Sequence, residues 1–481
     1  LHLYIQFFKS NLTYILGISS FYHDSSAALI KDGEIIAAVQ EERFTRIKHD
    51  SSFPTKSIKF LFDEANITAR DINYVVFYEK PFLKFERLIK SYIDNFPKGF
   101  NQFRVAAPIW IKNKLFLKQY IYKFFKKLDK DFKRDKILFT EHHESHAASA
   151  FYPSPFKDSL IINIDGVGEW ATTSIFEGRN NKLKKLREIN FPNSLGLLYS
   201  AFTYYLGFKV NSGEYKLMGL APYGEPIYTD LIKNNLLSIN DDGSFMINQK
   251  YFSYSTDLKM INKNFINLFG NEPRKTDSDN YEKFYLDIAS SIQKVTEEII
   301  VKIAKFAKRE FNHKNLCLSG GVALNCVANG KLLKSELFEN IWIQPSSGDA
   351  GCSLGAALCI WHNYLDKKRN IDPQKDSMKG SYLGPSFTNI EINNFLKLNE
   401  FIYSFYEDNA LFEILSKYLN EGHVIGLFQG KMEFGPRALG NRSIIGDPRI
   451  EDMQRKLNLK IKFRESFRPF APSVMKEHQK E

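Results

Sequence analysis

The chain has 481 residues, of which 43% are hydrophobic and 25% are charged, and its net charge is +11. This composition is ordinary for a folded protein, so it excludes the fibrous and disordered classes, and the length predicts two or three domains. No apolar run reaches the roughly eighteen residues of a membrane helix, and the first residues lack the basic start and the cleavage site of a signal peptide. We therefore expect a cytoplasmic protein without a membrane span.

The first part of the chain predicts strands and helices in alternation. "YILGISS" indicates a buried strand, and "SSAALIKDGEIIAAVQEERFTR" indicates two more strands joined by a turn at Asp32 and Gly33. A helix is expected near residues 55–65, and the next strand is expected in "INYVVFY". This order indicates an α/β domain.

A basic segment follows between Lys80 and Lys136, in which lysines alternate with aromatic residues at helical intervals. Such a pattern occurs on surfaces that bind nucleic acid, membranes or acidic glycans. It also occurs on amphipathic helices whose lysine-rich faces are merely solvated, and this second interpretation is the favoured one.

The next part of the chain predicts a second half built like the first. "SLIINIDGVGEWATTSIFEG" indicates a strand hairpin, and "YEKFYLDIASSIQKVTEEIIVKIAKFAKRE" a long amphipathic helix. "NLCLSGGVALNCVANGKLLK" and "IWIQPSSGDAGCSLGAALCIWHNY" each indicate a strand, a turn of small residues and a helix. We therefore expect one α/β domain made of two related halves.

Domain boundaries are predicted from composition. We expect an extension over residues 1–12, a first domain over 13–375, a polar linker over 376–388 and a second domain over 389–481. The second domain contains the strand "HVIGLFQG" and the tract "KMEFGPRALGNRSIIGDPR".

The four cysteines are Cys317, Cys326, Cys352 and Cys359. None belongs to a C-x-x-C pair, and all lie among small apolar residues. We therefore expect four buried thiols in a reducing compartment.

The stretch "EHHESHAASAF" holds three of the ten histidines of the chain. Residues four apart lie on one face of an α-helix, so His142 and His146 can direct their rings at one ion while His143 faces elsewhere. The alanines favour a helix that stops near Pro153. Because an H-x-x-x-H pair often occurs by chance, a metal site here needs further ligands.

Two tracts near the N-terminus carry residues that suit a ligand-binding cleft. His23 and Asp24 follow the first strand, and Arg43, Arg46 and Lys48 lie within six residues of one another. This cationic cluster is either a solvated strand end or a binding site for a phosphate-bearing ligand.

Two further tracts lie in the second half. Asp165 ends a buried strand at a glycine-rich turn. Ser319, Gly320 and Gly321 form a turn into a helix N-terminus, which can bind an anion on its amides, and Asp349 has the corresponding position in the next unit.

These residues supply the further ligands that the histidine pair needs. His142, His146, Asp165 and Asp349 together offer two imidazoles and two carboxylates. Such mixed nitrogen and oxygen donors suit iron, zinc or manganese rather than a thiolate-type site.

Several motifs in this order resemble the NodU/CmcH family of O-carbamoyltransferases. They are "ILGISSFYHDSSAAL", "EERFTRIKHD", "EHHESHAASAF", "DGVGEWATTSI", "GEYKLMGLAPYG", "LSGGVALN", "GDAGCSLGAAL" and "MEFGPRALGNRSI" with "FRESFRPFAPSV". The resemblance extends from about Tyr14 to the last residues, so it covers nearly the whole chain.

The resemblance implies a domain of the actin-like ATPase (ribonuclease H-like) fold, followed by an α+β domain similar to threonylcarbamoyl-AMP synthase. It also implies that ATP and carbamoyl phosphate are the substrates and that they are converted to carbamoyl adenylate. The carbamoyl group then passes to a hydroxyl of a sugar, glycolipid or natural product near a divalent metal, for which Fe(II) is expected.

The resemblance also implies roles for individual residues. The implied metal ligands are His142, His146, Asp165 and Asp349. His23 and Lys48 are the implied catalytic residues, with His23 as the expected general base. The implied nucleotide or carbamoyl-adenylate contacts are Ser319, Gly320, Gly321, Asn325, Arg437 and Arg468. Tyr199, Glu214 and Tyr215 are expected on the acceptor side of the cleft.

The chain departs from the family pattern at its two ends. About a dozen residues precede the usual start, and the chain stops at Glu481 shortly after "FRPFAPSV", whereas family members continue through an "NTSFN"-type tract. We therefore expect a truncated second domain with unpaired strand edges, which puts adenylate formation by this chain in doubt.

Other functions stay open at this point. A tRNA threonylcarbamoyl transferase is supported by the basic segment and disfavoured by the fused second domain. A sugar kinase and an inactive nucleotide-binding relic are the remaining alternatives. The expected partner is a small-molecule or glycan acceptor rather than nucleic acid, and a homodimer is left open.

Overall fold

The computed structural model describes residues 12–110, 116–275 and 281–478. All of the predicted extension except Leu12 therefore lies outside the described residues. Strands of the first half form one sheet in the order β3-β2-β1-β4-β5, with β4 and β5 parallel to β1. They are β1 (Tyr14–Ser19), β2 (Ser26–Lys31), β3 (Glu34–Gln40), β4 (Ile72–Phe77) and β5 (Ile137–Phe139).

The second half contains β6 (Asp158–Ile164), β7 (Ala171–Arg179), β8 (Lys182–Asn190), β9 (Leu237–Ile239), β10 (Phe245–Ile247), β11 (Asn315–Ser319) and β12 (Asn340–Ile343). Its sheet has the order β12-β11-β6-β7-β8, while β9 and β10 pair separately. Both large sheets thus consist of an antiparallel three-stranded meander with two parallel strands added beside its first strand. The predicted α/β architecture with two related halves is confirmed.

Helices are present where the sequence predicts them. They are α1 (Glu42–Thr45), α2 (Thr55–Ala65), α3 (Pro81–Asn95), α4 (Phe100–Trp110), α5 (Leu117–Leu128), α6 (His142–Phe151), α7 (Leu195–Tyr205), α8 (Glu214–Leu220), α9 (Thr229–Asn235), α10 (Lys263–Phe269), α11 (Lys283–Phe311), α12 (Cys326–Lys334), α13 (Asp349–Cys359), α14 (Asn389–Leu398), α15 (Asp408–Asn420) and α16 (Met453–Lys456). The histidine helix α6 ends before Pro153 as predicted.

Helices α6 and α13 pack on each other between the two sheets, α13 against β1 and β2, and α6 against β6 and β11. Their close approach depends on Gly355, because a Cβ at this position would lie 1.9 Å from the carbonyl oxygen of Ser145. The buried apolar side chains of both helices belong to one core together with the first sheet, and a second apolar core packs on the second sheet. The packing places the start of α6 beside the start of α13.

The basic segment forms three helices that differ in how they pack. Leu117, Ile121 and Phe125 of α5 are buried, so α5 is an amphipathic helix with a lysine-rich outer face, as favoured from the sequence. By contrast, α3 buries only Pro81 and Lys84.

The C-terminal part contains α14 to α16 and the antiparallel pair β13 (Ile425–Phe428) and β14 (Arg442–Ile445). The predicted linker is anchored in the first core, since Met378 and Leu383 are buried and the Ala38 N–H donates to the Leu383 carbonyl. Within the described range 281–478, α14 and α15 have no buried side chain. The domain boundaries and the likeness to threonylcarbamoyl-AMP synthase stay predictions.

One prediction about the cysteines is wrong. Cys317, Cys352 and Cys359 are buried as expected, but Cys326 is exposed. Cys326 is the first residue of α12, where its side chain lies outside the packed face of the helix and its sulfur is 3.9 Å from that of Met218.

Candidate metal centre

The N-terminus of α6 is fixed by a loop of the second sheet. His142 is the first residue of the helix, and its backbone N–H donates to both carboxylate oxygens of Glu169, at 3.0 and 3.1 Å. Glu169 belongs to the loop between β6 and β7, which also begins with Asp165. A carboxylate at this end of a helix is stabilised by the free amides and the helix dipole. The same loop thus orients the helix and supplies a carboxylate to the site.

Four side chains converge at this point. The Nε2 atoms of His142 and His146 are 3.1 Å apart, and His142 Nε2 is 2.9 Å from Asp165 Oδ2. Asp349, the first residue of α13, brings Oδ1 to 3.6 Å from His142 Nε2 and 3.7 Å from His146 Nε2. All four donor atoms lie within 4.8 Å of one another.

This arrangement fits a single divalent cation. Ligand atoms about 2.1 Å from an ion are separated by about 3.0–3.5 Å in tetrahedral or octahedral geometry, which is close to the separations between these donors. Burial would raise the pKa of Asp165, but hydrogen bonds from His142 and His146 keep it well below its usual range, so the carboxylate is ionised. Burial raises the pKa of the neighbouring Cys352 to about 12, so a neutral thiol lies beside the nitrogen and oxygen donors.

The predicted glycine turn lies against these ligands. The Gly321 N–H donates to Asp165 Oδ1 at 3.2 Å, and the Ser319 hydroxyl is 3.3 Å from His146 Nδ1. Gly320 has φ of +87°, and a Cβ there would be 2.3 Å from the Ile164 carbonyl oxygen. The turn leads first into a short 3₁₀ segment rather than directly into α12. In this arrangement Gly321 and Ser319 direct their polar groups at Asp165 and His146.

His143 has a separate environment, as the helical spacing predicts. Its Nδ1 lies 2.7 Å from the Ser174 hydroxyl, and its carbonyl accepts a hydrogen bond from Asn163 Nδ2. Burial lowers the pKa of His143 well below its usual value, so the ring is neutral. His143 therefore packs against β7 and is outside the four-residue cluster.

His23 lies at the edge of the cluster. Its Nε2 is 3.8 Å from Asp349 Oδ2, and its Nδ1 is 2.8 Å from Asp24 Oδ2. Asp24 has a second partner in His49, whose Nδ1 lies 2.8 Å from Asp24 Oδ1. Burial would lower the pKa of His23, but the carboxylates of Asp349 and Asp24 outweigh it and raise the pKa to about 9.

Lys48 and Arg468 meet at one aromatic ring. The Arg468 guanidinium is 4.1 Å from the centre of the Tyr215 ring, and Lys48 Nζ is 3.4 Å from the Tyr215 hydroxyl. Arg468 is only 5% exposed. This cationic pair joins the loop after α1, helix α8 and the C-terminal part.

The other predicted nucleotide contacts are more dispersed. Arg437 reaches the Leu324 carbonyl at 3.5 Å, just before Asn325. Asn325 caps α12 and exchanges two hydrogen bonds with Gln293, at 3.0 and 3.1 Å. Its amide group is thus held by α11.

The residues predicted on the acceptor side differ in their accessibility. The Tyr199 hydroxyl is buried and donates to Gln293 Oε1 at 2.8 Å. Glu214 accepts a hydrogen bond of 2.7 Å from the Ser200 hydroxyl. Tyr215 adjoins Lys48 and Arg468, and Tyr199 lies beside Asn325.

Sequence reasoning missed several residues that position the site, among them Glu169 and Arg87. Glu169 caps the histidine helix, and Arg87 of α3 donates to the Gly168 carbonyl at 2.6 Å. Glu169 stands in the quoted motif "DGVGEWATTSI", but its partner is 27 residues away and no local pattern indicates that contact. Arg87 belongs to the basic segment and was interpreted only as part of its charge.

No helix within the described residues is both long enough and apolar enough to cross a membrane.

Comparison with known proteins identifies the family. Residues 14–358 match the model of the carbamoyltransferase N-terminus, and residues 416–481 match that of the carbamoyltransferase C-terminus. The chain is 56% identical over 470 residues to uncharacterized protein sll1178 of Synechocystis sp., which covers 97% of this chain and 76% of that protein. It is 34% identical over 473 residues to nodulation protein NolNO of Sinorhizobium fredii, covering 96% of this chain and 64% of that protein.

A third relative is named for its enzymatic activity. The 3'-hydroxymethylcephem-O-carbamoyltransferase of Streptomyces clavuligerus is 31% identical over 186 residues, which cover 37% of this chain and 32% of that protein. The resemblance inferred from the motifs is confirmed, and the chain belongs to the carbamoyltransferase family.

Proposed function

We propose that this protein is an O-carbamoyltransferase that uses ATP and carbamoyl phosphate, by way of carbamoyl adenylate, and delivers the carbamoyl group to a hydroxyl of a sugar, glycolipid or natural product. The observation that carries the proposal is the position of His23, whose Nε2 lies 3.8 Å from Asp349 Oδ2 at the edge of the four-ligand cluster. A candidate proton acceptor and a candidate cation site thus share one carboxylate, in a chain of the carbamoyltransferase family.

The ligands proposed for the metal are His142, His146, Asp165 and Asp349, and Fe(II) is the proposed ion. When bound, a divalent ion supplies positive charge that stabilises an oxyanion and lowers the pKa of nearby groups. Asp349 is a principal cause of the raised pKa of His23, so an ion bound to that carboxylate would lower the pKa of His23 and leave its ring neutral and able to accept a proton.

In the proposed transfer step, a bond forms between the acceptor oxygen and the carbamoyl carbon. The bond from that carbon to the AMP phosphate oxygen breaks, and AMP leaves with the electron pair. His23 Nε2 accepts the proton of the acceptor hydroxyl, while Asp24 fixes the ring through Nδ1. Lys48 and Arg468 supply positive charge for the phosphate of the adenylate.

The His23→Asn variant tests the proposed base. We expect carbamoylated product to form about 10²–10⁴ times more slowly, because general base catalysis contributes about that factor. The assay incubates the metal-loaded protein with ATP, carbamoyl phosphate and a panel of monosaccharides, oligosaccharides and 3'-hydroxymethylcephem, and detects products by mass spectrometry. An unchanged rate in His23→Asn would contradict the role of His23, whereas phosphorylated product from the wild type would indicate a kinase instead.

A further inference from the structure

The positive charge of this protein is concentrated in one segment. Residues 80–136 hold 16 Lys and Arg against 5 Asp and Glu, an excess of 11 that equals the net charge of +11 of the whole chain. The remaining residues are therefore balanced in charge. The catalytic proposal uses none of the lysines of this segment, and two of them, Lys80 and Lys84, form ion pairs with Glu141 and Glu79.

The same segment exposes large apolar side chains at one end. Helix α3 and helix α4 are joined by a short connection, and around it lie Ile93 (64% exposed), Phe96 (68%) and Phe100 (54%). We call these three residues the tip. Lys98 and Arg104, also exposed, flank the tip, and one exposed carboxylate, Asp94, lies beside Ile93. Aromatic and aliphatic side chains in water next to cations are the usual composition of an interfacial membrane contact.

A neighbouring loop extends the apolar surface. The Cα of Thr256 lies 3.5 Å from the position that a Cβ of Gly99 would occupy, so the α3–α4 connection rests against this loop. Two residues further along the chain, Leu258 is 73% exposed. The loop itself is neutral, because Asp257 offsets Lys259.

We propose that the tip is a docking surface for an anionic lipid bilayer. Apolar side chains at the tip would enter the interface between headgroups and acyl chains, while Lys98 and Arg104 interact with anionic headgroups. Ile93 and Leu258 favour a bilayer over nucleic acid, since aliphatic side chains offer no stacking surface for bases. A second copy of the chain is disfavoured because two such segments would repel each other.

Helix α3 connects this surface with the metal centre. Its N-terminal neighbour Lys80 donates its N–H to Glu169 at 2.8 Å, and Lys90 lies 5.4 Å from the ring of Trp170. Phe96 follows Lys90 by six residues, about 9 Å along a helix axis. Docking is a binding property and does not depend on the proposed function.

Vesicle flotation of the full chain tests the proposal. The probes are vesicles of phosphatidylcholine alone and of phosphatidylcholine mixed with phosphatidylglycerol. We expect binding to the anionic vesicles only, and a partition coefficient about tenfold lower for the double variant Phe96→Ser/Phe100→Ser. Lys98→Glu/Arg104→Glu should weaken binding and reduce its salt dependence. Phe412→Ser on α15 and Lys305→Glu on α11 are the matched controls and should bind like the wild type.

Several outcomes would overturn the proposal. The first is that the wild type does not bind anionic vesicles. The second is that Phe96→Ser/Phe100→Ser binds them as strongly as the wild type does. The third is that the wild type is a dimer and this double variant is a monomer. Binding to single-stranded RNA that requires Lys98 and Arg104 but not Phe96 and Phe100, without vesicle binding, would assign the surface to nucleic acid. Because none of these assays measures carbamoyl transfer, failure here is distinguishable from failure of the proposed function.

Discussion

For the three histidines of α6, individual contacts determine whether the side chain is a candidate metal ligand or a packing residue. The rings of His142 and His146 point at Asp165 and Asp349, whereas His143 meets the hydroxyl of Ser174. Helical spacing alone predicts that His143 faces away from the other two. The role of each ring is then decided by its neighbours on other elements, which lie far away in the chain.

A buried histidine away from the centre makes stability depend on pH. Burial lowers the pKa of His362 to about 4, and its ring lies 4.5 Å from that of Tyr152. Between about pH 4 and 6.5 the His362 ring is protonated in the unfolded chain but neutral in the folded protein. The free energy of unfolding is therefore unaffected by this residue above about pH 6.5 and decreases as the pH falls below that value. Going from pH 7.5 to 5.0 should cost about 2 kcal/mol of unfolding free energy through this residue.

Urea unfolding at both pH values measures this effect. In the wild type, His362 Nδ1 lies 3.0 Å from the Lys367 carbonyl, and the amide of an asparagine at this position can still donate to that carbonyl. For His362→Asn, the decrease in unfolding free energy between pH 7.5 and 5.0 should therefore be smaller by about 2 kcal/mol. An identical pH dependence in both proteins would show that folding does not lower the pKa of His362.

Residue-level contacts of the glycine turn could not be predicted. The sequence indicated an anion site on the amides of Ser319 to Gly321, but the Gly321 amide donates to Asp165 and the Ser319 hydroxyl faces His146. Both contacts join segments more than 150 residues apart, which no local pattern encodes. Residue types at the site could therefore be predicted, but their mutual partners could not.

At the level of elements, the site depends on how closely α6 and α13 approach. Gly355→Ala would place a methyl group 1.9 Å from the Ser145 carbonyl oxygen, and both atoms belong to rigid helices. We expect a loss of about 2–3 kcal/mol of unfolding free energy, together with weaker metal binding, because His142 and Asp349 lie on the two helices that must separate. Chemical unfolding and metal titration measure both effects.

Gly330→Ala is the matched control for this change. Gly330 lies within α12, and no atom stands within 4 Å of a Cβ added there. Alanine should raise stability by up to about 1 kcal/mol. If the two variants were equally stable, the close approach of α6 and α13 would not be a constraint.

The elements themselves could be predicted well because their signals are local. The bounds of α2 follow from hydrophobic periodicity, and those of α6 from its alanines and Pro153. Cys326 was predicted as buried because its neighbours are small and apolar, but it begins α12 and faces outward. Which face of a short helix is covered depends on tertiary packing.

At the level of the whole molecule, the C-terminal part contacts helix α8. Arg468 stacks on Tyr215 of α8, and Glu465 accepts a hydrogen bond of 2.7 Å from Lys216 Nζ.

If Arg468 binds the adenylate phosphate, Arg468→Lys should lower AMP formation from ATP and carbamoyl phosphate about 10–100-fold, because lysine lacks the bidentate geometry. The exposed Arg455 provides the control, and Arg455→Lys should leave AMP release unchanged. Equal rates for both variants would remove Arg468 from the nucleotide site.

The two related halves could be expected from the repeated pattern of hairpin and helices, and the family from motifs spread along the chain, but the strand order of each sheet was not predicted. The meeting of Lys48, Tyr215 and Arg468 could not be derived, since these residues come from three separate parts of the sequence. The anchoring of the predicted linker through Met378 and Leu383 was equally hidden by its polar composition.

The most direct test of the central claim is the metal content of protein purified without oxygen. Elemental analysis should find about one divalent ion per chain in the wild type, with iron as the proposed metal, and far less in His142→Ala, which loses one of four ligands. His143→Asn alters the neighbouring ring outside the cluster and should retain the ion. A full metal content in His142→Ala, or equal losses in both variants, would contradict the proposed centre.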